Sequence, residues 1–304
     1  MKKILFAIAI VMFAVSCGDS GDGTPAPPAP KWQKYAKSNE IKIMSFNIRT
    51  SGMDEGTANH WDNRKEACVA LIKDHMPDIM GVQEATYTAQ WVWLKEQLKS
   101  VGYDGYGIDR INGYPEFNNK TKNGEVPGIL WNTHVVKILD KGTFWLSETP
   151  DTPSQGWDAG YYRSATWGLF EHIPTGKQFF YINTHLDHES VLAQEGGMKV
   201  IDEKFQEYYG KMPLFLTGDL NVDATNKALD VIDTYMNNAG IKANKKESFG
   251  TTNGWGASTS NKVIDHIYYS KTLRNPVEYR CIRDAYKGVT YVSDHYPIYA
   301  IIKL

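Results

Sequence analysis

IKIMSF, residues 41–46, is a β-branched and apolar run that predicts a buried strand, and the amide side chain of Asn47 follows it. A helix is predicted next, because one helical face would carry Ala67, Cys68, Leu71, Ile72 and His75. Residues 78–83 (DIMGVQ) again resemble a strand, and Trp91, Leu94 and Leu98 repeat at helical spacing. The chain is therefore expected to open as strand, helix, strand, helix.

The middle of the chain is mostly extended, and its end returns to alternating helices and strands. Short strand-like runs between turn residues favour antiparallel pairing at 128–131, 135–141, 165–171 and 178–183. The later elements are a helix within 190–209, a strand at 213–217, a helix near 226–236, and strands at 263–269, 277–284 and 298–302. This order favours an α/β fold of two mixed sheets packed face to face, with helices on the outer faces.

The first thirty residues differ in composition from the rest. Residues 1–16 carry two lysines and then an apolar run too short to span a bilayer, which is typical of a signal peptide. Small residues precede Cys17, as in a bacterial lipobox, and the alternative is a cleaved signal with an incidental cysteine. Residues 17–30 are rich in Gly, Pro and Ala and predict an acylated cysteine with a flexible tether.

A folded domain is then expected over residues 31–304. We expect the protein to be exported and held on a bacterial membrane, facing the periplasm or the cell surface, through the lipid anchor alone.

The formal net charge is −2, and no run of Lys and Arg stands out. Proteins that bind long nucleic acids usually carry such a run, so the charge disfavours a nucleic-acid substrate without excluding it. We expect a monomer. Cys68 and Cys281 do not form a disulfide framework, and they are either two buried thiols or one bridge.

Polar side chains stand at the ends of the predicted strands. They are Asn47, Glu84, His185, Asp219 with Asn221, Asp265, and Asp294 with His295. A rigid scaffold presents functional groups at such positions. Acids and amides from several strand ends at one rim predict an oxygen-lined pocket for a hard cation.

The motifs around these residues resemble one known superfamily. SFNIR, GVQEA, NTHLDH, TGDLNVD, IDHIYYS and SDHYPI occur in the order and approximate spacing of the endonuclease/exonuclease/phosphatase superfamily. That resemblance implies a four-layer α/β/β/α sandwich and metal-dependent hydrolysis of phosphoester bonds. A second set of motifs, GTFWLSETP and RSATW, is similar to exported bacterial members nearest the carbon-catabolite-repressor type deadenylases.

Carried over by motif, the resemblance implies a role for each strand-end residue. Glu84 would hold the metal, supported by Asn47 and Asp294. Mg²⁺ suits such a site, with Mn²⁺ as a second option, because it takes few protein carboxylates and keeps waters for substrate phosphate. Asp219 would orient or deprotonate the attacking water, and Asn221 would hold that water or the phosphate.

The remaining implied roles concern the phosphate. His295, paired with Asp265, would face the phosphoryl oxygens and stabilise their negative charge. His185 would contact the phosphate, the alternative being a structural histidine. Arg163 would clamp the phosphate with its planar fork, the alternative being a surface ion pair.

Several nearby residues stay without an assigned role. Glu125 aligns with an acidic residue of the bacterial relatives, and its role is open. Asp187, His188 and His266 are interpreted as structural. Trp255, in a loop at 249–261 that is expected to overhang the pocket, either stacks on a substrate ring or anchors the loop.

The sequence thus predicts a divalent-metal-dependent phosphomonoesterase or phosphodiesterase acting on a small nucleotide, sugar or inositol phosphate. The first alternative is an exonuclease or endonuclease acting on RNA or DNA. A minor alternative is a non-catalytic ligand-binding lipoprotein.

Overall fold

The computed structural model describes residues 38–113, 124–247 and 249–304. The predicted signal peptide, Cys17 and the tether lie outside the described residues. No helix in these ranges is long and apolar enough to cross a membrane.

The elements follow one another in the order strand, helix, strand, helix, and then mostly strands. The strands are β1 Glu40–Asn47, β2 Ile79–Thr86, β3 Tyr103–Tyr106, β4 Glu125–Asn132, β5 Val136–Trp145, β6 Ser164–His172, β7 Lys177–His185, β8 Leu214–Asp219, β9 Met236–Asn238, β10 Lys245–Glu247, β11 Asp265–Ser270, β12 Glu278–Cys281 and β13 Ile298–Lys303. The α-helices are α1 Trp61–His75, α2 Trp93–Lys99, α3 Val191–Gln206, α4 Asp230–Asp233 and α5 Ala239–Lys242.

The described strands form two mixed sheets. A seven-stranded sheet has the order β10-β12-β13-β1-β2-β4-β3, and a six-stranded sheet has the order β5-β6-β7-β8-β11-β9. Three buried apolar clusters separate the layers: α1 and α2 cover one face of the first sheet, the two sheets pack on each other, and α3 covers the outer face of the second. The predicted four-layer sandwich is therefore confirmed.

The inner face of each central strand changes from apolar to polar along its length. Because side chains alternate across a strand, every second residue of β1 faces the other sheet, first Ile41 and Ile43 and then Ser45 and Asn47. The same progression runs along β7 as Phe179, Tyr181, Asn183 and His185, and along β8 as Phe215, Thr217 and Asp219. The hydrophobic core thus gives way to a polar rim at one end of the sandwich.

Asn183 joins the two sheets just beneath that rim. Its Nδ2 donates to the carbonyls of Val82 and Gly128, both at 2.9 Å, and its Oδ1 accepts from Gln83 Nε2 at 2.7 Å. The β2–β4 register shifts directly after Val82, so the side chain satisfies carbonyls beside a bulge. A Cβ at Gly81 would lie 2.0 Å from Asn183 Oδ1, which explains the glycine in GVQEA.

The structure refines two local expectations and adds one element that was not expected. The helix expected near residues 226–236 is present in part, as a 3₁₀ turn at Lys227–Leu229 that leads into the one-turn α4. The alternative of a disulfide bridge is wrong, since Cys68 and Cys281 are buried free thiols. A π-helical turn, Tyr87–Val92, precedes α2 and was not evident from the spacing.

We expect Asn183→Leu to lower the free energy of unfolding by about 2–4 kcal/mol, because it leaves two buried carbonyls and the Gln83 amide short of partners. Thr217→Val, which removes the hydrogen bond to Asn183 Oδ1 at 3.0 Å and the one shared with the Tyr181 hydroxyl at 2.6 Å, serves as the graded comparison and should cost about 1–2 kcal/mol. Urea unfolding measures both. A loss for Asn183→Leu no larger than that for Thr217→Val would contradict the bridging role.

Candidate active site

The polar ends of four central strands meet at one rim of the sandwich. The strands β1 and β2 are parallel, as are β7 and β8, so the side chains at their carboxyl ends lie together. The strand β11 runs the other way and begins at this rim, where Asp265 pairs with Asp219 and Asp219 pairs with His185.

Asn47 holds a carboxylate from each sheet. Its Nδ2 donates to Glu84 Oε1 at 2.8 Å and to Asp219 Oδ2 at 2.9 Å. Its Oδ1 is fixed in turn by the backbone N–H of Arg49 at 2.9 Å. The amide therefore sets the separation of the two acids.

Glu84 sits in an unusual backbone conformation. It lies within the β2 irregularity with φ of 62°, a left-handed value that is unfavourable for a glutamate. Its Oε2 accepts from the backbone N–H of Thr50 at 3.1 Å. Burial opposes its charge, but the hydrogen bond from Asn47 and the nearby His295 hold the pKa of Glu84 below its ordinary value. The carboxylate is thus kept ionised in a buried position.

Asp219, Asp265 and His295 form a compact charged group. His295 Nδ1 lies 2.8 Å from Asp265 Oδ2 and 3.7 Å from Asp219 Oδ2. Burial alone would lower the pKa of His295, but these two carboxylates hold it well above the ordinary value. Burial, together with the charge of Asp265, raises the pKa of Asp219 to about 7. The site therefore holds one imidazolium beside an acid that titrates near neutrality.

His185 is the second histidine beside Asp219, with Nε2 3.5 Å from Asp219 Oδ2. The surroundings of His185 lower its pKa, whereas those of His295 raise the pKa of that ring. Burial and the positive charges of Arg163 and Arg110 hold the pKa of His185 well below the ordinary value. A neutral imidazole results, and its Nδ1 makes no hydrogen bond to any described residue.

Asn221 and Arg163 complete the wall around Asp219. Asn221 has φ of 54°, its N–H donates to Asp219 Oδ1 at 3.1 Å, and its Nδ2 donates to the carbonyl of Leu186 at 3.0 Å. Arg163 is buried, with Nε 3.4 Å from Asp187 Oδ2 and Nη2 3.0 Å from His188 Nδ1. Arg163 thus forms a buried ion pair rather than a surface one, and its role as a phosphate clamp stays a prediction.

These side chains surround one cavity of about 420 Å³. The described residues that line it are Arg49, Thr50, Met53, Glu84, Arg110, Glu125, Tyr161, Arg163, His185, His188, Asp219, Asn221 and His295. A larger cavity, about 590 Å³, lies beside α2 and is lined by residues such as Trp91, Lys95 and Lys99, with no histidine among them. The chemistry places the active site at the smaller cavity.

Two sets of ligand atoms in the site are close enough to hold one cation each. The first is Glu84, His185 and Asp219, and the second is Asp219, Asp265 and His295, with atoms within 4.8 Å of one another in each set. His295 is kept protonated by two carboxylates, so it is a poor ligand. The first set, whose histidine is neutral, fits a divalent cation.

Asp294 and the loop at 249–261 contact each other and neighbouring residues of the rim. Asp294 Oδ2 lies 3.3 Å from Arg49 Nη1, so its carboxylate faces a guanidinium, and its role as a metal ligand stays a prediction.

The loop at 249–261 lies against this segment, because Asn253 N–H donates to the carbonyl of Asp294 at 2.8 Å, although none of the described loop residues lines the cavity. Trp255 packs 5.4 Å from the Arg64 guanidinium, which favours the loop-anchoring interpretation. His266 bonds Asn238 and the Val222 carbonyl and is structural.

Five described residues of the cavity wall were not singled out from the sequence, namely Arg49, Thr50, Met53, Arg110 and Tyr161. Arg49 is in the quoted SFNIR motif and pairs with both Asp54 and Asp294. Arg110 and Tyr161 lie in segments without strand or helix periodicity, so no pattern marked them. The one feature of the sequence that could have identified Tyr161 is its position two residues before the RSATW motif.

A two-sheet sandwich with acids, an amide and two unlike histidines at one rim defines an enzyme of the phosphoester-hydrolysing class. The model of the Endonuclease/Exonuclease/phosphatase family matches residues 44–295, and the chain belongs to this family. The resemblance noted in the sequence is thus confirmed.

Solved structures and a curated relative agree with this assignment. A family member from Bacteroides thetaiotaomicron is 32% identical with a TM-score of 0.78, covering 86% of this chain and 97% of that one. A mannosyl-6-phosphatase of Bacteroides thetaiotaomicron is 31% identical with a TM-score of 0.77, covering 87% of this chain and 100% of that one. An uncharacterised protein, L388, of Acanthamoeba polyphaga mimivirus is 25% identical over 286 residues, which are 86% of this chain and 100% of that protein.

We expect Asp265→Asn to lower kcat/KM about 10- to 100-fold and to move the alkaline limb of its pH profile to lower pH. The charge of Asp265 is the largest influence that raises the pKa of His295, so without it the imidazolium is lost at a lower pH. The full pH profile measures the shift, and Asp140→Asn on the exposed part of β5 is the matched control. An alkaline limb that stays in place would show that His295 is not the titrating acid.

Proposed function

We propose that the protein hydrolyses a small phosphoester with the help of a divalent cation, Mg²⁺ in the first instance and Mn²⁺ as a substitute. Glu84 and Asp219 supply carboxylate oxygens, the ligands that Mg²⁺ prefers, and the neutral ring of His185, within 4.8 Å of both, would contact the phosphate. The Asn47 amide N–H groups donate to both carboxylates. Partial positive charge thus already lies between Glu84 and Asp219, which supports the binding of a cation beside them. When bound, the cation would neutralise charge on the phosphoryl oxygens and polarise the phosphorus for attack.

The chain's own residues would prepare the water and the developing charge. Asp219 would orient the attacking water beside the cation, which would lower the pKa of that water. Asn221 lies beside it and would keep that water in line. His295, held as a cation by Asp265, would donate toward the oxygens on which negative charge builds up.

The observation that supports a small substrate is the balance of charge around a bounded cavity. The cavity has a volume of about 420 Å³, and three arginines and three acids line it: Arg49, Arg110, Arg163, Glu84, Glu125 and Asp219. A nucleic-acid track would carry an excess of cations along an extended groove. The mannosyl-6-phosphatase among the similar structures supports a phosphomonoester substrate.

The test is a panel of phosphomonoesters, phosphodiesters and short oligonucleotides with Mg²⁺, with Mn²⁺ and with a chelator. We expect turnover of small phosphomonoesters that needs the cation and falls by about 10³-fold or more in Asp219→Asn with the fold intact by circular dichroism. Faster cleavage of the oligonucleotides would replace this function with a nuclease. A chelator-insensitive reaction, or full activity in Asp219→Asn, would overturn the proposed site.

We also propose that the chain is exported as a monomer and anchored through an acylated Cys17. Metabolic labelling with a clickable palmitate, followed by membrane fractionation of the full chain expressed in bacteria, tests the anchor. Cys17→Ser should lose the label and leave the membrane fraction, whereas Cys281→Ser, a buried thiol, should keep both. Label retained in Cys17→Ser would contradict acylation at this residue.

A further inference from the structure

We propose that Tyr161 and the Arg110–Glu125 ion pair form a subsite for the sugar ring of a phosphorylated sugar. This inference rests on the proposed function, because it identifies the group that carries the phosphate in the substrate. All three residues line the same cavity as the reacting cluster, together with Glu84 and His185.

The ion pair is built to meet neutral hydroxyl groups. Arg110 Nη1 lies 2.8 Å from Glu125 Oε2, and both side chains keep a small accessible area, 11% and 16%. A guanidinium offers fixed donors and a carboxylate offers acceptors, so the pair can serve two neighbouring hydroxyls at once. A second anionic group would be repelled by Glu125, which disfavours a bisphosphate.

Tyr161 supplies the apolar side of the subsite. It is 49% exposed and lies within the cavity wall rather than in the core. Its ring is stacked on His188 with centroids 5.7 Å apart, and the guanidinium carbons of Arg110 and Arg163 lie 5.7 and 5.6 Å from its centroid. These contacts fix the ring's position.

The same contacts argue for a sugar over a nucleobase. A base needs a free flat aromatic face on which to stack. An imidazole stacks on Tyr161 and two guanidinium groups lie over its ring, so these groups compete with a base for the ring, whereas the exposed part of the ring and its hydroxyl stay accessible to a ligand. That surface suits the C–H and O–H groups of a sugar ring.

The kinetic test compares kcat/KM for a hexose 6-phosphate, for acyclic glycerol 3-phosphate and for a nucleoside 5′-monophosphate. We expect the hexose phosphate to be preferred over glycerol phosphate in the wild type, and that ratio to fall about 10-fold in Glu125→Gln and in Tyr161→Ala. Tyr209→Ala, an equally exposed tyrosine outside this cavity, is the matched control and should keep the ratio. An unchanged ratio in both test variants, or preference for the nucleotide, would overturn the subsite.

A binding measurement separates this inference from the proposed function. Calorimetric titration of Asp219→Asn with hexose 6-phosphate should give a Kd about 10-fold weaker when Glu125→Gln is added, and no change when Tyr209→Ala is added. If the wild type hydrolyses no phosphoester but the sugar phosphate still binds through Glu125, the hydrolytic function fails and the subsite stands. If phosphoesters are hydrolysed and Glu125→Gln binds the sugar phosphate as before, only the subsite fails.

Discussion

One amide group holds this active site together. Asn47 belongs to the seven-stranded sheet, and its Nδ2 hydrogen bonds reach Glu84 on the same sheet and Asp219 on the other. Two buried carboxylates this close repel each other unless positive partial charge lies between them. The amide supplies that charge in a fixed place, so the packing of the two sheets and the geometry of the acids become one constraint. Any change in how the sheets pack would change the distance between the two acids.

The constraint explains why polar residues occupy the inner faces near the rim. A buried amide is tolerated only when its hydrogen bonds are satisfied, and Asn183 satisfies its own by bonding carbonyls of the irregular β2–β4 pairing and the amide of Gln83. That irregularity is what permits Glu84 to adopt positive φ and project into the cavity. Backbone strain at Glu84 is thus supported by the polar layer beneath it.

Sequence patterns predicted the parts of this molecule that depend on local chemistry. Short apolar and β-branched runs, with a polar residue after each, located β1, β7 and β8 and the side chains at their ends, because the composition of the chain alone marks a buried strand and its end. The short strands β3, β9 and β10 were not foreseen, since three or four residues carry too little alternation to distinguish strand from loop. Arg110 and Tyr161 were missed for a similar reason. Their contribution depends on which loops meet across the cavity, and that follows from the tertiary fold alone.

The two histidines show how that tertiary placement determines chemistry that residue type leaves open. His185 and His295 have the same side chain, and both approach Asp219 Oδ2, at 3.5 and 3.7 Å. Behind His295 lies the carboxylate of Asp265, while His185 lies near the guanidinium groups of Arg163 and Arg110. The pKa of the first is therefore raised and that of the second lowered, which leaves one imidazolium and one neutral imidazole around a single acid. The two rings can therefore serve different roles, since an imidazolium can stabilise charge on phosphoryl oxygens whereas only a neutral ring can accept a hydrogen bond or ligate a metal ion.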